Sequence, residues 1–367
     1  MNKKKSIMKV FPLFLVLLVL VSGCTEVLLN FSTTYESYPT KISYVIKYGY
    51  DLNCTGSGEY QINYDCNIPT VLQGSVSYNP LYEKDYQSIQ DFNNNFLSWN
   101  ISSSERAMYK LGIRASVIAE SFIVEDLTGI DALTIDEIAE KYPETTSKYL
   151  NGQSNDTTYL INPYESSIVN IAQSIMYAAD TNNSFICAKE IFNWLKTNTE
   201  YTIHEQDMGV QPALLTLQKK TGDCDDLSFL YISLCRSVGI PARFVRGYLL
   251  SEDIVGTVKA TAHVWVEVFV GGLLGINGWI PVECAGASSD ETVNVHQNFG
   301  VESAYHLRLF VDEGSNESLL KSSAGISFSY GIGRHVDVNS FAEIIEYSVI
   351  ESKQLVVDAD NQRYYQE

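Results

Sequence analysis

The fold of this chain is decided by residues 221–243, which read TGDCDDLSFLYISLCRSVGIPAR. Apolar residues recur at helical spacing from Leu227 to Leu234, and the Gly-Ile-Pro that begins at Gly239 is a stop signal. The pattern predicts a helix that begins at or just after Cys224. A thiol at that position meets unpaired backbone N–H groups and the positive end of the helix dipole, and both favour the thiolate.

Three carboxylates surround this thiol: Asp223, Asp225 and Asp226. Nearby negative charge disfavours a thiolate, so we expect a basic partner close in space. The same aspartates could attract Ca²⁺, but their spacing lacks the ligand periodicity of a calcium loop. We therefore interpret them as solvated or capping carboxylates. The N–H groups of the helix start could also stabilise an oxyanion on an attacked carbonyl.

A candidate base lies on a strand further along the chain. Residues 263–270 read HVWVEVFV and alternate strictly, which predicts a strand. A glycine-rich loop over 271–277 and an apolar run at Trp279–Val282 predict an antiparallel hairpin. In that register Glu283 lies within diagonal reach of His263. The carboxylate would orient the imidazole and stabilise its protonated form.

The blocks GDCDD, GIPAR, HVWVE and GWIPVE, in this order, resemble the core of the transglutaminase-like superfamily, a group of papain-related cysteine enzymes. The resemblance covers roughly residues 155–290. It implies an α+β papain-like core in which a helix bearing the cysteine packs on an antiparallel sheet bearing the histidine and the acid. It also implies Cys224 as nucleophile, His263 as general base and acid, and Glu283 in the third role. The third residue of the family is usually Asp, so Glu283 is a departure.

The function we expect is that of a cysteine peptidase or amidase. Cys224 would attack an amide carbonyl of a peptide or protein substrate and form a thioester. Hydrolysis is favoured because water is always present, whereas a cross-linking transglutaminase needs a channel for a primary amine. The competing class is a non-catalytic surface binding or scaffold protein that keeps the fold.

No cofactor is expected, and no metal site. The chain has no paired Cys or His spacing of the zinc-ligand type in this region. His296, His306 and His335 are scattered along the sequence, and we predict that they are structural. Gln211 and His204 are candidates for lining the cleft or donating to an oxyanion.

The N-terminus resembles a secretory signal. Lys3, Lys4 and Lys5 precede an apolar run over Phe11–Val21, and Ser-Gly-Cys follows, ending at Cys24. This predicts a signal peptide over 1–23 with a lipobox, and lipid attachment at Cys24. The alternative is an uncleaved anchor. Both place the remainder outside the cytoplasm, and the lipid would hold it at the outer face of the cell membrane.

Length and composition limit the number of domains and the kinds of partner that the chain can have. With 367 residues, two or three domains are expected. The net charge of −19 argues against a nucleic-acid partner and against a polybasic hold on anionic lipid. The predicted divisions after the signal are a β-rich accessory region over 24–154, the core over 155–290 and a β-rich region over 291–367.

The cysteines divide into two groups. Cys54 and Cys66 lie in a Tyr- and Asn-rich stretch that predicts a β-hairpin, where they could form a local disulfide. Cys187, Cys235 and Cys284 are expected in the apolar core.

Overall fold

The structure is a computed structural model of the 367-residue chain. It describes residues 32–150, 160–203, 209–286, 290–322 and 325–367.

Three sequence-based predictions lie outside these ranges: the signal peptide over 1–23, the lipid-bearing Cys24 and the cleft candidate His204. Within the described ranges, none of the helices has the length and apolar character needed to cross a membrane.

Strands dominate both ends of the described chain, and most helices lie in its middle. The strands are β1 (Thr33–Thr34), β2 (Tyr38–Gly56), β3 (Tyr60–Asn67), β4 (Gly74–Pro80), β5 (Tyr86–Asp91), β6 (Asn94–Ser103), β7 (Ala107–Glu120), β8 (Phe122–Ile123), β9 (Glu200–Tyr201), β10 (Thr221–Gly222), β11 (Ala242–Glu252), β12 (Val258–Phe269), β13 (Trp279–Val282), β14 (Val301–Glu302), β15 (His306–Val311), β16 (Ser327–Tyr330), β17 (Arg334–Val357) and β18 (Arg363–Gln366). The helices are α1 (Ile135–Lys141), α2 (Pro143–Tyr149), α3 (Ser166–Ala179), α4 (Ser184–Asn198), α5 (Ala213–Lys219), α6 (Cys224–Ser237), α7 (Glu291–Asn298) and α8 (Asn316–Ser322).

The site-bearing core is a helix packed on a four-stranded antiparallel sheet. The sheet has the order β13-β12-β11-β15, and α6 packs on β11 and β12 with α3, α4 and α5 around it. One face of β12 packs in the same buried apolar cluster as α6, through Val264, Val266 and Val268. This arrangement confirms the predicted α+β fold. Cys187, Cys235 and Cys284 are buried in this core, as predicted.

The predicted hairpin register is also confirmed. In the β12–β13 pair, Val266 faces Val282 and Val268 faces Ile280. This is the register that a loop over 271–277 requires. The other connection of β12 is short, because β11 and β12 leave only residues 253–257 between them.

Two further sheets pack around a second apolar cluster. One has the order β1-β17-β2-β7-β4 with β18 beside β17, and the other has the order β16-β3-β6-β5. Because β2 and β3 lie in different sheets, the predicted hairpin between them is wrong. Cys54 on β2 pairs across to Val336 and Ala107, while Cys66 on β3 faces Leu97. Both thiols are buried and free, so the suggested disulfide is not formed.

The chain beyond residue 290 contributes to two sheets. β15 completes the core sheet by pairing with β11, whereas β17 pairs along β2. The β-rich region predicted over 291–367 therefore takes part both in the core sheet and in the sheet that contains β2. The division at residue 290 stays a prediction.

Gly247 lies where β11 passes between its two neighbours. It faces His263 on β12 and Arg308 on β15, and the β15 register shifts beside it. A Cβ atom here would lie 1.8 Å from the carbonyl oxygen of Leu307. Only glycine therefore lets β15 approach β11 this closely.

We expect Gly247→Ala to destabilise the protein by roughly 1–3 kcal/mol, because the added methyl group must push β15 outward. Urea unfolding of the purified variant measures this loss. Gly331→Ala is the matched control, since a Cβ atom there meets nothing nearer than 3.7 Å. Equal stability of the two variants would contradict the role given to Gly247.

Candidate active site

Cys224 is the first residue of α6, as the sequence predicts. The Asp223 side chain caps the helix by accepting from the N–H groups of Asp225 and Asp226. The Asp226 carboxylate accepts in return from the N–H of Asp223. These carboxylates therefore occupy N–H groups that the sequence offered to an oxyanion. The thiol itself is half-buried.

The turn that enters α6 is fixed by close packing. Gly222 has no room for a side chain, because a Cβ atom would lie 2.5 Å from the Cβ of Asp226. Asp226 is fully buried and accepts from both the backbone N–H and the amide of Gln211, each at 2.7 Å. Gln211 is itself buried. It supports the helix start, and the expectation that it lines the cleft is wrong.

His263 lies between Cys224 and Glu283. Its Nε2 is 2.7 Å from Oε2 of Glu283, and the Cys224 side chain is close enough to raise the pKa of the same imidazole. Because Nε2 is engaged by the carboxylate, Nδ1 is the nitrogen left for the thiol. The ring is only 7% exposed, and it stacks on Trp265 with 5.9 Å between ring centroids. The three residues selected from the sequence are thus brought together.

Glu283 follows β13 directly and is held along its whole length. Its backbone N–H donates to Asn298, and its Oε1 accepts from the N–H of Ala285 at 2.7 Å. Lys196 secures the turn beyond it by donating to the carbonyl oxygens of Cys284 and Gly286. The carboxylate is therefore fixed before any substrate arrives.

The His263–Glu283 pair is strongly polarised. Burial by itself lowers the pKa of His263, but the charge of Glu283 and the hydrogen bonds with Cys224 and Glu283 outweigh it and raise the pKa to about 10. Burial by itself raises the pKa of Glu283, but His263 and then His306 outweigh it and hold the pKa well below its usual range. The stable form of the pair is imidazolium with carboxylate.

Asp225 has a basic partner of its own. Its Oδ2 lies 3.4 Å from Nη2 of Arg246 on β11. Burial nevertheless raises the pKa of the Asp225 carboxyl, and Asp223 and Asp226 act in the same direction against Arg246. The Asp225 side chain is also the polar contact of the thiol, with Oδ1 at 4.0 Å from Sγ of Cys224.

Tyr201 is a site residue that the sequence did not single out. β9 and β10 pair in parallel, so that Tyr201 lies beside Gly222 at the entry to α6. Burial raises the pKa of its phenol, and the charges of Cys224, Asp223 and Glu283 raise it further. The side chain is 38% exposed and lies beside the entry to α6.

His306 is the second residue that the sequence missed. We predicted it to be structural, but its Nε2 lies 3.2 Å from Oε2 of Glu283, the same oxygen that His263 contacts. It is the first residue of β15, and β15 reaches the site by pairing with β11. No spacing signal in the sequence links it to Glu283, because the link depends on a strand pairing across about 60 residues.

A buried ionic network continues along the face of β12 that carries His263. Glu267 bridges Arg243 at 2.6 Å and Arg308 at 2.7 Å. Arg308 also binds Glu302, which accepts from the indole N–H of Trp265 at 2.9 Å. Burial raises the pKa of Glu267, but Arg243 and Arg308 outweigh it and lower the pKa to about 2. Paired in this way, the charges can remain buried.

Among the described residues, His263, Glu283 and His306 form the group whose donor atoms could hold a metal ion, all lying within 4.8 Å of one another. Hydrogen bonds already join these atoms. Two imidazoles and one carboxylate are also a known zinc-ligand set.

Comparisons with known proteins match the part of the chain that carries these residues. Residues 170–284 match the model of the transglutaminase-like superfamily. The matched stretch contains Cys224 and His263 and includes Glu283 near its end. Over this stretch the chain is similar to the transglutaminase-like superfamily.

Two curated proteins are similar to it over short stretches. An uncharacterised protein of Bacillus subtilis (strain 168), YebA, is 30% identical over 125 residues, which are 30% of this chain and 16% of YebA. An uncharacterised protein of Mycobacterium leprae (strain TN), ML0607, is 39% identical over 59 residues, which are 15% of this chain and 21% of that protein. The chain therefore spans a small part of either relative.

Solved structures with a similar arrangement include a proposed cysteine protease from Cytophaga hutchinsonii. It is 12% identical with a TM-score of 0.48, over 86% of this chain and 93% of that one. The periplasmic domain of TgpA from Pseudomonas aeruginosa is 13% identical with a TM-score of 0.33, over 66% of this chain and 89% of that one.

The raised pKa of His263 predicts a pH dependence of stability. Because the pKa rises from 6.5 to about 10 on folding, its contribution is complete below pH 6.5 and is lost as pH rises towards 10. One such proton changes the free energy of unfolding by at most about 1.4 kcal/mol per pH unit. As the pH rises from 6.5 to about 10, we expect the free energy of unfolding to fall less in His263→Gln than in the unsubstituted protein. Urea unfolding at a series of pH values tests it, and parallel curves would contradict it.

Proposed function

We propose that this protein is a cysteine enzyme that acts on amide bonds of peptides or proteins through a thioester intermediate, and that it is a hydrolase. The observation that carries the proposal is the placement of His263 between the Cys224 thiol and the Glu283 carboxylate. A nucleophile, a base and an orienting acid in this order are the arrangement needed for acyl transfer.

The polarised pair supports an activated nucleophile. With the pKa of His263 raised to about 10, the imidazolium is stable beside a thiolate at neutral pH. The thiolate of Cys224 attacks the carbonyl carbon, and a sulfur–carbon bond forms. The imidazolium then gives its proton to the leaving nitrogen as the carbon–nitrogen bond breaks. The amine departs and the acyl group remains as a thioester.

An oxyanion forms during this attack and needs a donor. The N–H groups of Asp223, Asp225 and Asp226 donate to carboxylates. We assign the role to the N–H of Cys224, the first residue of the helix, which lies at the positive end of the α6 dipole.

The acceptor of the thioester separates two activities. In hydrolysis neutral His263 takes a proton from water, and hydroxide attack releases the acid and the thiol. In cross-linking a primary amine replaces water. Hydrolysis requires no second binding site, and this favours it.

Export and lipid anchoring are part of the proposal and rest on the N-terminal sequence. A basic start, a short apolar run and Ser-Gly-Cys ending at Cys24 are typical of lipoprotein signals. We propose that the protein is attached through lipid at Cys24 on the outer face of the membrane. The net charge of −19 suits a body held there by lipid.

A non-catalytic scaffold predicts an ordinary thiol, so alkylation tests the first claim. We expect iodoacetamide at pH 6 to modify Cys224 at least about tenfold faster than free cysteine, because the proposed pairing with the His263 imidazolium favours the reactive thiolate. Peptide mapping locates the label. The five other described cysteines are buried, which limits competing reaction.

His263→Ala should remove this advantage, because the thiolate loses its counter-ion. The exposed His335 gives a matched control, and His335→Ala should react like the unsubstituted protein. Labelling of Cys224 no faster than free cysteine would favour the scaffold.

Hydrolase and cross-linker are distinguished by partition of the thioester. A peptide carrying an amide is offered together with a labelled primary amine at millimolar concentration. We expect free acid to exceed amine adduct, and Cys224→Ala to form neither product. A dominant adduct would identify a transglutaminase and overturn the hydrolase assignment.

A further inference from the structure

We infer that His306 is a positioning residue that locks Glu283 onto His263, and that it allows a glutamate to serve where an aspartate is usual. The inference rests on the proposed function, since it assigns a role within the same site. It goes beyond the triad because His306 belongs to β15, which lies outside the matched stretch 170–284.

The geometry of Glu283 shows what must be fixed. A glutamate has one more rotatable bond than an aspartate, so its carboxylate can occupy more positions. Here Oε1 accepts from the N–H of Ala285 at 2.7 Å, while Oε2 meets Nε2 of His263 at 2.7 Å and Nε2 of His306 at 3.2 Å. His306 is thus a second imidazole that constrains Oε2, beside His263.

His306 is itself held firmly. Its Nδ1 lies 2.9 Å from the Ser303 hydroxyl, and its ring packs edge-on against Trp265 at 4.7 Å between centroids. Trp265 is anchored in turn by its indole N–H, which donates to Glu302. The ring is buried and cannot swing away from Glu283 without breaking these contacts.

The hydrogen-bond directions are mutually consistent. To donate to Glu283, His306 must carry a proton on Nε2. Its Nδ1 then faces the Ser303 hydroxyl, which can donate to it, and also lies 3.3 Å from the Ser303 carbonyl oxygen. Glu283 receives two ring N–H groups on Oε2, one from each histidine, and this aligns the carboxylate with His263.

An aspartate at this position would lack a methylene and could not reach both rings from the same backbone. Glu283→Asp should therefore lower turnover, although it restores the residue that is usual in the family. Equal or higher turnover would overturn the inference.

The central experiment compares His306→Phe with His306→Gln in the full chain. Phe keeps a ring against Trp265 but has no donor, whereas the Gln amide can place an N–H near the position of Nε2. Loss of one hydrogen bond to a charged group predicts a fall in kcat of about 10- to 100-fold for His306→Phe. KM should change little, since the His306 side chain is buried. His306→Gln should recover most of kcat.

The pH profile of Cys224 alkylation gives a readout that a purely structural role would not move. Groups facing His263 are Cys224 and Asp225 from α6, Glu283 after β13, and His306 from β15. In His306→Phe the Glu283 carboxylate is misaligned and stabilises the His263 imidazolium less. The rise of the Cys224 alkylation rate with pH should therefore occur at higher pH. A shift to lower pH would mean that His306 only draws charge from Glu283, and would overturn the positioning role.

A double-mutant cycle tests whether His306 acts through Glu283. If it does, His306→Phe should have almost no further effect in a Glu283→Gln background, because the partner is already lost. Full additivity would overturn the inference. His335→Phe is the matched control, since His335 also binds a carboxylate, Asp337 at 2.8 Å, but is 66% exposed.

The two proposals can fail separately. If the unsubstituted protein shows no activated thiol, the proposed function fails. If Cys224 is activated and turnover is normal in His306→Phe, the enzyme assignment stands and the role of His306 is wrong. Circular dichroism of each variant confirms that a loss of activity is not a loss of fold.

Discussion

The 2.7 Å contact between His263 and Glu283 is the interaction on which the site depends. Both side chains are largely withdrawn from water, which alone would disfavour their charged forms. The Glu283 carboxylate nevertheless raises the pKa of the His263 imidazole, and the imidazole lowers the pKa of the carboxyl group, so that both stay charged. A buried ion pair of this kind survives only when its geometry is fixed. The surrounding structure supplies that rigidity through β12, the turn after β13, and β15.

The acidic start of α6 shows how the fold separates carboxylates of similar sequence. Asp223 caps the helix, and Asp226 is buried against Gln211. Asp225 pairs with Arg246. N–H donors thus bind the carboxylates of Asp223 and Asp226, and the guanidinium of Arg246 pairs with that of Asp225. The negative charge that the sequence places around Cys224 is therefore largely compensated before it acts on the thiol.

Sequence reasoning succeeded where local rules suffice. The Cys224 helix start, the 271–277 loop and the pairing that follows from it depend on short-range turn and periodicity rules. It failed where the structure depends on which strands pair within a sheet. The hairpin expected around Cys54 and Cys66 has strand-like periodicity, yet its two strands enter different sheets. Gln211 was misassigned because nothing local shows that Asp226 is buried against it.

The sequence by itself selected Cys224, His263 and Glu283 and determined the hairpin register, because each lies within one element or two adjacent ones. Only the tertiary structure decided the contact of His306 with Glu283, the place of Tyr201 beside the start of α6 and the pairing of Asp225 with Arg246. These depend on contacts between segments far apart in the chain, such as β11 with β15. Residue spacing does not predict such contacts, since they follow from packing of the whole core.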